Sequence, residues 1–182
     1  MLFMQEEGSI CLFDNENILV FPLLIEEIEL LKNDKNYFEN YLNLKYEADY
    51  EFGENSYMTK QLENFKNSNS DLPWCSIWAI CSAKHKAIIG TINFKNQPDD
   101  KGNVEIYFSI NPNYQRQNFA TTAVKLISNW SFENGATSIS ALVQKDSIAS
   151  KKVLLKNNFN VENLNDDFIN FKKEKPNNEK VD

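Results

Sequence analysis

Seven consecutive residues, Gln115, Arg116, Gln117, Asn118, Phe119, Ala120 and Thr121, form the segment with the strongest chemical content. They join a strand-like run, Val104–Ile110, to a helix-like run that opens at Phe119. A strand, a polar loop and a helix N-terminus in that order make an anion cradle. The first-turn N–H groups have no helical partner, and the helix dipole favours negative charge there. A phosphorylated cofactor is the expected occupant. Upstream, strand alternation puts Glu105, Tyr107 and Ser109 on one face, a proton acceptor beside two hydroxyls. Downstream, Ser150 lies on a second helix-like run. Each has a plainer explanation when taken singly: a solvated strand carboxylate, a surface arginine at Arg116, a surface helix serine at Ser150.

The elements that must position these residues follow from periodicity and turn chemistry. Ile18–Phe21 reads as a strand stopped by Pro22. Leu23–Lys32 and Asp34–Lys45 read as helices, with Phe38, Tyr41 and Lys45 at helical spacing. Ser56–Lys66 is predicted as a third helix and Asn67–Pro73 as a polar loop. Trp74–Cys81 has the apolar, aromatic character of a buried strand. A turn at Ala83–Lys86 pairs it with Ala87–Phe94, where Gly90 suggests a bulge. The run from Asn96 to Asn103 is dense in loop formers. Helix Phe119–Glu133 ends at Gly135, with Ala123, Ile127 and Trp130 (Val124 beside them) as its core face. Thr137–Val143 is a strand, and Ser147–Asn157 a helix N-capped by Asp146, with Val153, Leu154 and Leu155 as core residues. Phe159–Val161 and Phe168–Phe171 read as final strands. The order gives a mixed α/β (α+β) single domain over residues 1–173, with 174–182 a disordered tail.

Composition sets bounds on function. At 182 residues and 42% apolar content the chain builds one sizeable core. A net charge of −7 argues against nucleic-acid binding and suits a cationic partner such as an amine. Cys11, Cys75 and Cys81 read as buried small residues of a reducing compartment, with Cys75 and Cys81 too far apart on one strand to pair. The lone His85, in a polar turn, and the three cysteines supply no metal set. No apolar run is long enough to span a bilayer, and Met1–Met4 followed by Gln5-Glu6-Glu7 lacks a signal-peptide pattern. The cytoplasm is the expected location.

The spacing around the loop resembles the acyl-CoA pyrophosphate loop of the GNAT N-acetyltransferase superfamily, apolar-x-Pro-x-x-(Gln/Arg)-x-x-Gly-x-(Gly/Ala). Ile110, Pro112, Gln115 and Ala120 fit it, and Asn118 stands in the glycine position. A second segment is similar to the ribosomal-protein N-terminal acetyltransferase pattern Asn-x-x-(Ala-)Ser-x-x-Val-Leu-x-Lys-x-Gly-Phe. It keeps Ser150, Val153, Leu154, Lys156 and Phe159, with Asp146 for the asparagine and Asn158 for the glycine. The resemblance covers Trp74 to Phe171 well and the first seventy residues only in plan. It implies a twisted mixed sheet whose central strands splay apart to admit the cofactor's pantetheine arm. It implies acetyl-CoA as co-substrate and a primary amine, small molecule or peptide N-terminus, as acceptor. Dimers are common in the family, which leaves a homodimer open.

Transfer to an amine requires loss of a proton, which at neutral pH costs an alkylammonium about 4–5 kcal/mol. Glu105 is similar in position to the glutamate many GNAT enzymes use as base through water. The resemblance places the main chain of Phe108 and Ile110 against the pantetheine amides. The N–H groups of Gln117 to Thr121, with the Gln115 and Arg116 side chains, face the pyrophosphate. Ser150 bonds the cofactor or orients the leaving thiol. Asp146 stands where an amide donor would contact the cofactor, and losing that bond costs about 1–3 kcal/mol. Tyr107 replaces glycine, Phe108 replaces tyrosine, and Leu154 occupies the position of the usual tyrosine acid, so Tyr107 is the candidate proton donor. The replaced glycines and Asp146 give weight to a second reading, an acyl-CoA-binding or protein-interaction module without turnover. A Rossmann domain is disfavoured, since no G-x-G-x-x-G is present.

Overall fold

The computed structural model describes residues 10–14, 17–48, 63, 72–95 and 97–176. The strands are β1 (Leu12–Asp14), β2 (Ile18–Pro22), β3 (Lys45–Tyr46), β4 (Ile77–Ser82), β5 (Ala87–Phe94), β6 (Asn103–Ile110), β7 (Ser138–Gln144), β8 (Asn160–Leu164) and β9 (Phe168–Glu174). The helices are α1 (Ile25–Asn33), α2 (Lys35–Leu42), α3 (Leu72–Cys75), α4 (Phe119–Glu133) and α5 (Ile148–Lys156). Among the described residues the strands form one sheet, ordered β1-β2-β4-β5-β6-β7-β9-β8, with β3 parallel to β5 off that path. Neighbours along the path are antiparallel except β6 and β7, which run parallel. The expected mixed α+β architecture is present.

Every residue of β4 and β5 is buried, because helices cover both faces of the sheet there. Alternation sends Trp78 and Ile80 into one core and Ile77, Ala79 and Cys81 into the other. The first core holds Ala123, Val124, Ile127 and Trp130 of α4 and Leu154 of α5. The second holds Ile28 and Leu31 of α1 and Phe38 of α2. Trp130 contacts Trp74, Trp78 and Phe94 at centroid distances of 4.6, 4.9 and 5.7 Å, fixing α4 on the sheet. Burying each such side chain contributes roughly 1.5–3 kcal/mol.

Several local expectations are corrected. Trp74 and Cys75 belong to the short helix α3, so Cys75 and Cys81 share no strand. Burial, with Cys11 nearby, pushes the Cys81 thiol up to about 12. Helix α2 stops at Leu42, because Asn43 turns left-handed at φ 53° and the Leu44 N–H returns to the Glu39 carbonyl. Lys45 is therefore a strand residue. Leu155 points outward at 55% exposure, and Leu154 alone of the three predicted α5 core residues is fully buried. The N-cap of α5 is Ser147 rather than Asp146. Strand β9 continues through Glu174, past the predicted strand end at Phe171. The predicted helix at Ser56–Lys66 and most of the loop at Asn67–Pro73 lie outside the described residues.

Gly90 is required by close approach. A Cβ there would lie 2.2 Å from the Ser109 carbonyl oxygen on β6, and the register of β4 against β5 shifts at the same level. Gly90→Ala should push β5 off β6 and lower stability by about 1–3 kcal/mol in thermal unfolding; an unchanged midpoint would contradict this packing. Glu39 anchors β3, accepting from the Tyr46 N–H at 2.9 Å and from Lys45 Nζ at 2.8 Å. Burial alone would raise its carboxyl. The Lys45 hydrogen bond, the Tyr46 N–H and the charges of Lys45 and Lys35 outweigh burial and hold it below its ordinary value of 4.5. A depressed folded-state pKa stabilises above the unfolded value and loses that contribution as pH falls through the folded one. The stability gap between wild type and Glu39→Gln should therefore be constant at neutral pH and close below pH 4.5; a gap that widened on acidification would refute the assignment.

Candidate active site

The central feature is the parting of β6 and β7. Three residue pairs join them, Asn103 with Ser138, Val104 with Ile139 and Glu105 with Ser140, and pairing ends there. The closed end is reinforced by Ser138 Oγ on Asn103 Oδ1 and by Ser140 Oγ on the Val104 carbonyl at 3.2 Å. Beyond Glu105 each strand follows its other neighbour. β6 stays with β5 as far as Ile110 opposite Gly90, and β7 stays with β9 as far as Gln144 opposite Phe168. The gap is a cleft of about 220 Å³, lined among others by Tyr107, Phe108, Leu142, Gln144, Ser147 and Ser150.

Main-chain polarity in the cleft follows from register. The Lys95 N–H donates to the Glu105 carbonyl and the Asn111 N–H to the Ile89 carbonyl, so odd-numbered β6 residues direct their main-chain groups toward β5. Alternation turns those of Ile106, Phe108 and Ile110 toward the cleft. Gln115 Nε2 donates to the Ile110 carbonyl at 3.0 Å, so this side chain closes the loop onto its own strand.

At the mouth of the cleft, Asn111 accepts from the Asn113 N–H at 2.9 Å and starts a 3-10 turn, Pro112–Tyr114. Arg116 and Asn118 are left-handed, at φ 61° and 64°, with Gln117 between them at negative φ. Alternating handedness turns successive N–H groups into one concavity, the geometry of an anion nest. The first helical bond of α4 runs from the Thr122 N–H to the Asn118 carbonyl, and Asn118 makes no side-chain cap. The N–H groups of Phe119, Ala120 and Thr121 thus lie above that first bond with no carbonyl beneath them. Asparagine tolerates this backbone, so the glycine replaced at 118 is not missed. Asn158, at φ 62°, likewise closes α5 with a paired return: Phe159 N–H to Leu154 and Asn158 N–H to Leu155. Asn157 then binds α5 to the start of α4 through the Thr121 carbonyl at 3.1 Å.

The remaining predicted residues fall in two places. Ser150 lines the cleft and accepts from Ser147 Oγ at 3.0 Å. Asp146 is exposed in the preceding turn, where its carbonyl accepts the Ile148 N–H. Glu105 is half-buried on the face shared with α1 and α2, ion-paired with Lys95 at 3.2 Å. Tyr107 shares that face, opposite Asn93 of β5. Leu154, in the position of a tyrosine acid, is fully buried in the core.

Four contributors carried no local sequence signal. Lys95 meets Glu105 only because the register of β5 against β6 puts them side by side. Asn111 Nδ2 donates to the Glu47 carbonyl at 2.6 Å, tying the loop to the segment after β3. From its turn, His85 sets its ring against the loop, 5.2 Å from that of Tyr114. Ser147 enters the cleft as the helix cap.

A family profile described as an acetyltransferase (GNAT) domain matches residues 28–160. The chain belongs to the GNAT family. It is 30% identical over 83 residues to the uncharacterized N-acetyltransferase YjdG of Bacillus subtilis (strain 168), a match covering 45% of this chain and 49% of that one. It thus spans about half the length of the curated relative it matches. Its fold is shared with a ribosomal-protein-S5-alanine acetyltransferase from Vibrio fischeri at a TM-score of 0.62 and 15% identity, over 91% of this chain and 97% of that one. It is also shared with the microcin C7 self-immunity acetyltransferase MccE, solved with acetyl-CoA and AMP, at 0.59 and 13%, over 88% and 93%. GNAT enzymes use acetyl-CoA as co-substrate, and the parting of the two parallel strands is where the fold was expected to open. No helix among the described residues is long and apolar enough to cross a membrane.

The left-handed cap gives a direct test of the loop. A β-branched side chain in that region costs about 1–3 kcal/mol. Asn118→Val should lose that much stability in denaturant titration, and Asn118→Gly should match wild type. Equal behaviour of the two variants would mean the loop does not depend on the turn.

Proposed function

We propose that this chain is an acetyl-CoA-dependent N-acetyltransferase acting on a primary amine by direct attack. The observation that carries the reading is the cleft between β6 and β7, closed at Glu105 and opening toward the unpartnered amides that begin α4. A narrow slot ending in an anion nest matches a slender pantetheine arm ending in a pyrophosphate. The residues present fit the co-substrate. The N–H groups of Asn118 to Thr121 hold the diphosphate, with Gln117 in the nest and Arg116 as an outer charge. The main-chain groups of Phe108 and Ile110 pair with the amides of the arm. Ser150, positioned by Ser147, faces the sulfur end of the slot or its amides.

Acetyl-CoA supplies an activated acyl group as a thioester. The chain supplies the rest. Glu105, at the closed end, accepts the proton of the incoming amine, through a water where the amine does not reach it. A β6 N–H aimed into the cleft polarises the carbonyl as charge develops on its oxygen. Tyr107 returns a proton to the departing sulfur, a role supported by its position in the cleft lining and by Leu154 being apolar and enclosed. The acceptor approaches from the face carrying α1 and α2. The replaced glycines sit in left-handed backbone that asparagine accommodates, which supports an intact loop for the co-substrate.

Thiol release measured with acetyl-CoA and a panel of amines tests the assignment. Glu105→Gln should lower turnover by about 10²–10⁴-fold while coenzyme A affinity stays near wild type. Parallel loss of both would remove Glu105 from the base role, and coenzyme A binding with no amine consumed would favour the module.

A further inference from the structure

The chain already holds a primary amine against the carboxylate assigned to proton removal. Lys95 follows β5 directly, and its N–H donates to the Glu105 carbonyl at 2.8 Å. Lys95 Nζ lies 3.2 Å from Glu105 Oε2 and 3.4 Å from Oε1. Glu105 is also the last β6 residue paired with β7, so this contact stands at the closed end of the cleft. The lysine side chain is 60% exposed and the glutamate 31%, so the carboxylate is the fixed partner and the ammonium the movable one. An exposed pair of this kind is weakly held and breaks readily. Lys45 on Glu39 at 2.8 Å and Lys172 on Glu174 at 2.9 Å make similar contacts, but neither glutamate lies on β6, the strand that parts from β7.

We propose that Lys95 is an acetyl acceptor in cis, so that the chain modifies its own Lys95 Nζ from acetyl-CoA. The proposal rests on the reading of Glu105 and the cleft given above. Glu105 takes one proton from the Lys95 ammonium, and the freed lone pair on Nζ bonds to the acetyl carbonyl carbon. The carbon–sulfur bond breaks, and sulfur leaves with the bonding electrons. The second proton of the nitrogen goes to that sulfur, and the proton on Glu105 passes to water. The products are a neutral amide on Lys95 and a free thiol, with no redox partner needed. Conversion to the amide ends the ion pair and leaves Glu105 open to an outside amine.

The experiment uses the full chain incubated with acetyl-CoA, digested and mapped by mass spectrometry. Each variant is first titrated with coenzyme A by calorimetry, and retained heat shows an intact cleft. One acetyl group should accumulate at Lys95 at a rate per chain independent of protein concentration. It should exceed acetylation of Lys45 and Lys172 by about a hundredfold, the scale of general-base assistance. Glu105→Gln should abolish that excess, and Lys95→Arg should remove the modified peptide while keeping a cation on Glu105. In a mixture, wild-type chains should leave Lys95 of the Glu105→Gln chains unmodified. Equal labelling of the three lysines, an unchanged rate in Glu105→Gln, or labelling of that variant by wild type would overturn the proposal. Calorimetric heat with Lys95 unmodified would sink the proposal and spare the cleft; no heat at all would sink the cleft reading first.

Discussion

β6 cannot satisfy two neighbours over its whole length. Gly90 lets β5 approach so closely that β6 is committed to that side up to Ile110. β7 is committed equally to β9 through seven consecutive pairs. Sheet twist rotates these two committed halves relative to one another, and the weakest seam gives way after three pairs. The main-chain groups of Phe108 and Ile110, beyond the last pair, are left without strand partners on that side. In a continuous sheet this would be a defect, since unpaired polar backbone is costly. Here it lines the cleft in which the proposed co-substrate would find those groups.

The two asparagines at the ends of the helices serve the same geometry. Asn118 turns the chain out of the 3-10 turn and into α4 with its side chain off the cap, so the amides stay available. Asn158 closes α5 and lets Phe159 fold back onto Leu154 in the core. Asn157 then binds α5 to the Thr121 carbonyl, fixing one wall of the cleft to the start of α4. On the opposite face, Asn111 joins the loop to the Glu47 backbone, which connects the nest with the segment after β3.

Much of this plan is legible in sequence because it depends on local chemistry. Phe119–Glu133 carries a strong helical period and a glycine just past its end, and the helix has those bounds. Ala87–Phe94 is an apolar run after a polar turn, and it too is found as read. Gly90 suggests a bulge, and the register shifts at that level. What escapes is set by tertiary partners. Trp74 has the aromatic character of a strand but forms a helical turn because it packs on Trp130 and Phe94. Leu155 fits a helical stripe, yet α5 buries only the stripe's centre. Asp146 and Ser147 are both good caps, and the hydroxyl contact with Ser150 accompanies the choice of Ser147. Lys95 meets Glu105 through pairing across a loop, and no local pattern encodes that register.

The account depends on a diphosphate held by backbone amides and an extended arm held by an unpaired strand. Amide chemical-shift mapping by NMR during a coenzyme A titration examines both at once. The account predicts that the N–H signals of Asn118, Phe119, Ala120 and Thr121 shift most, accompanied by those of Phe108 and Ile110 along β6. Shifts confined to residues away from the cleft, or none at saturating coenzyme A, would contradict it.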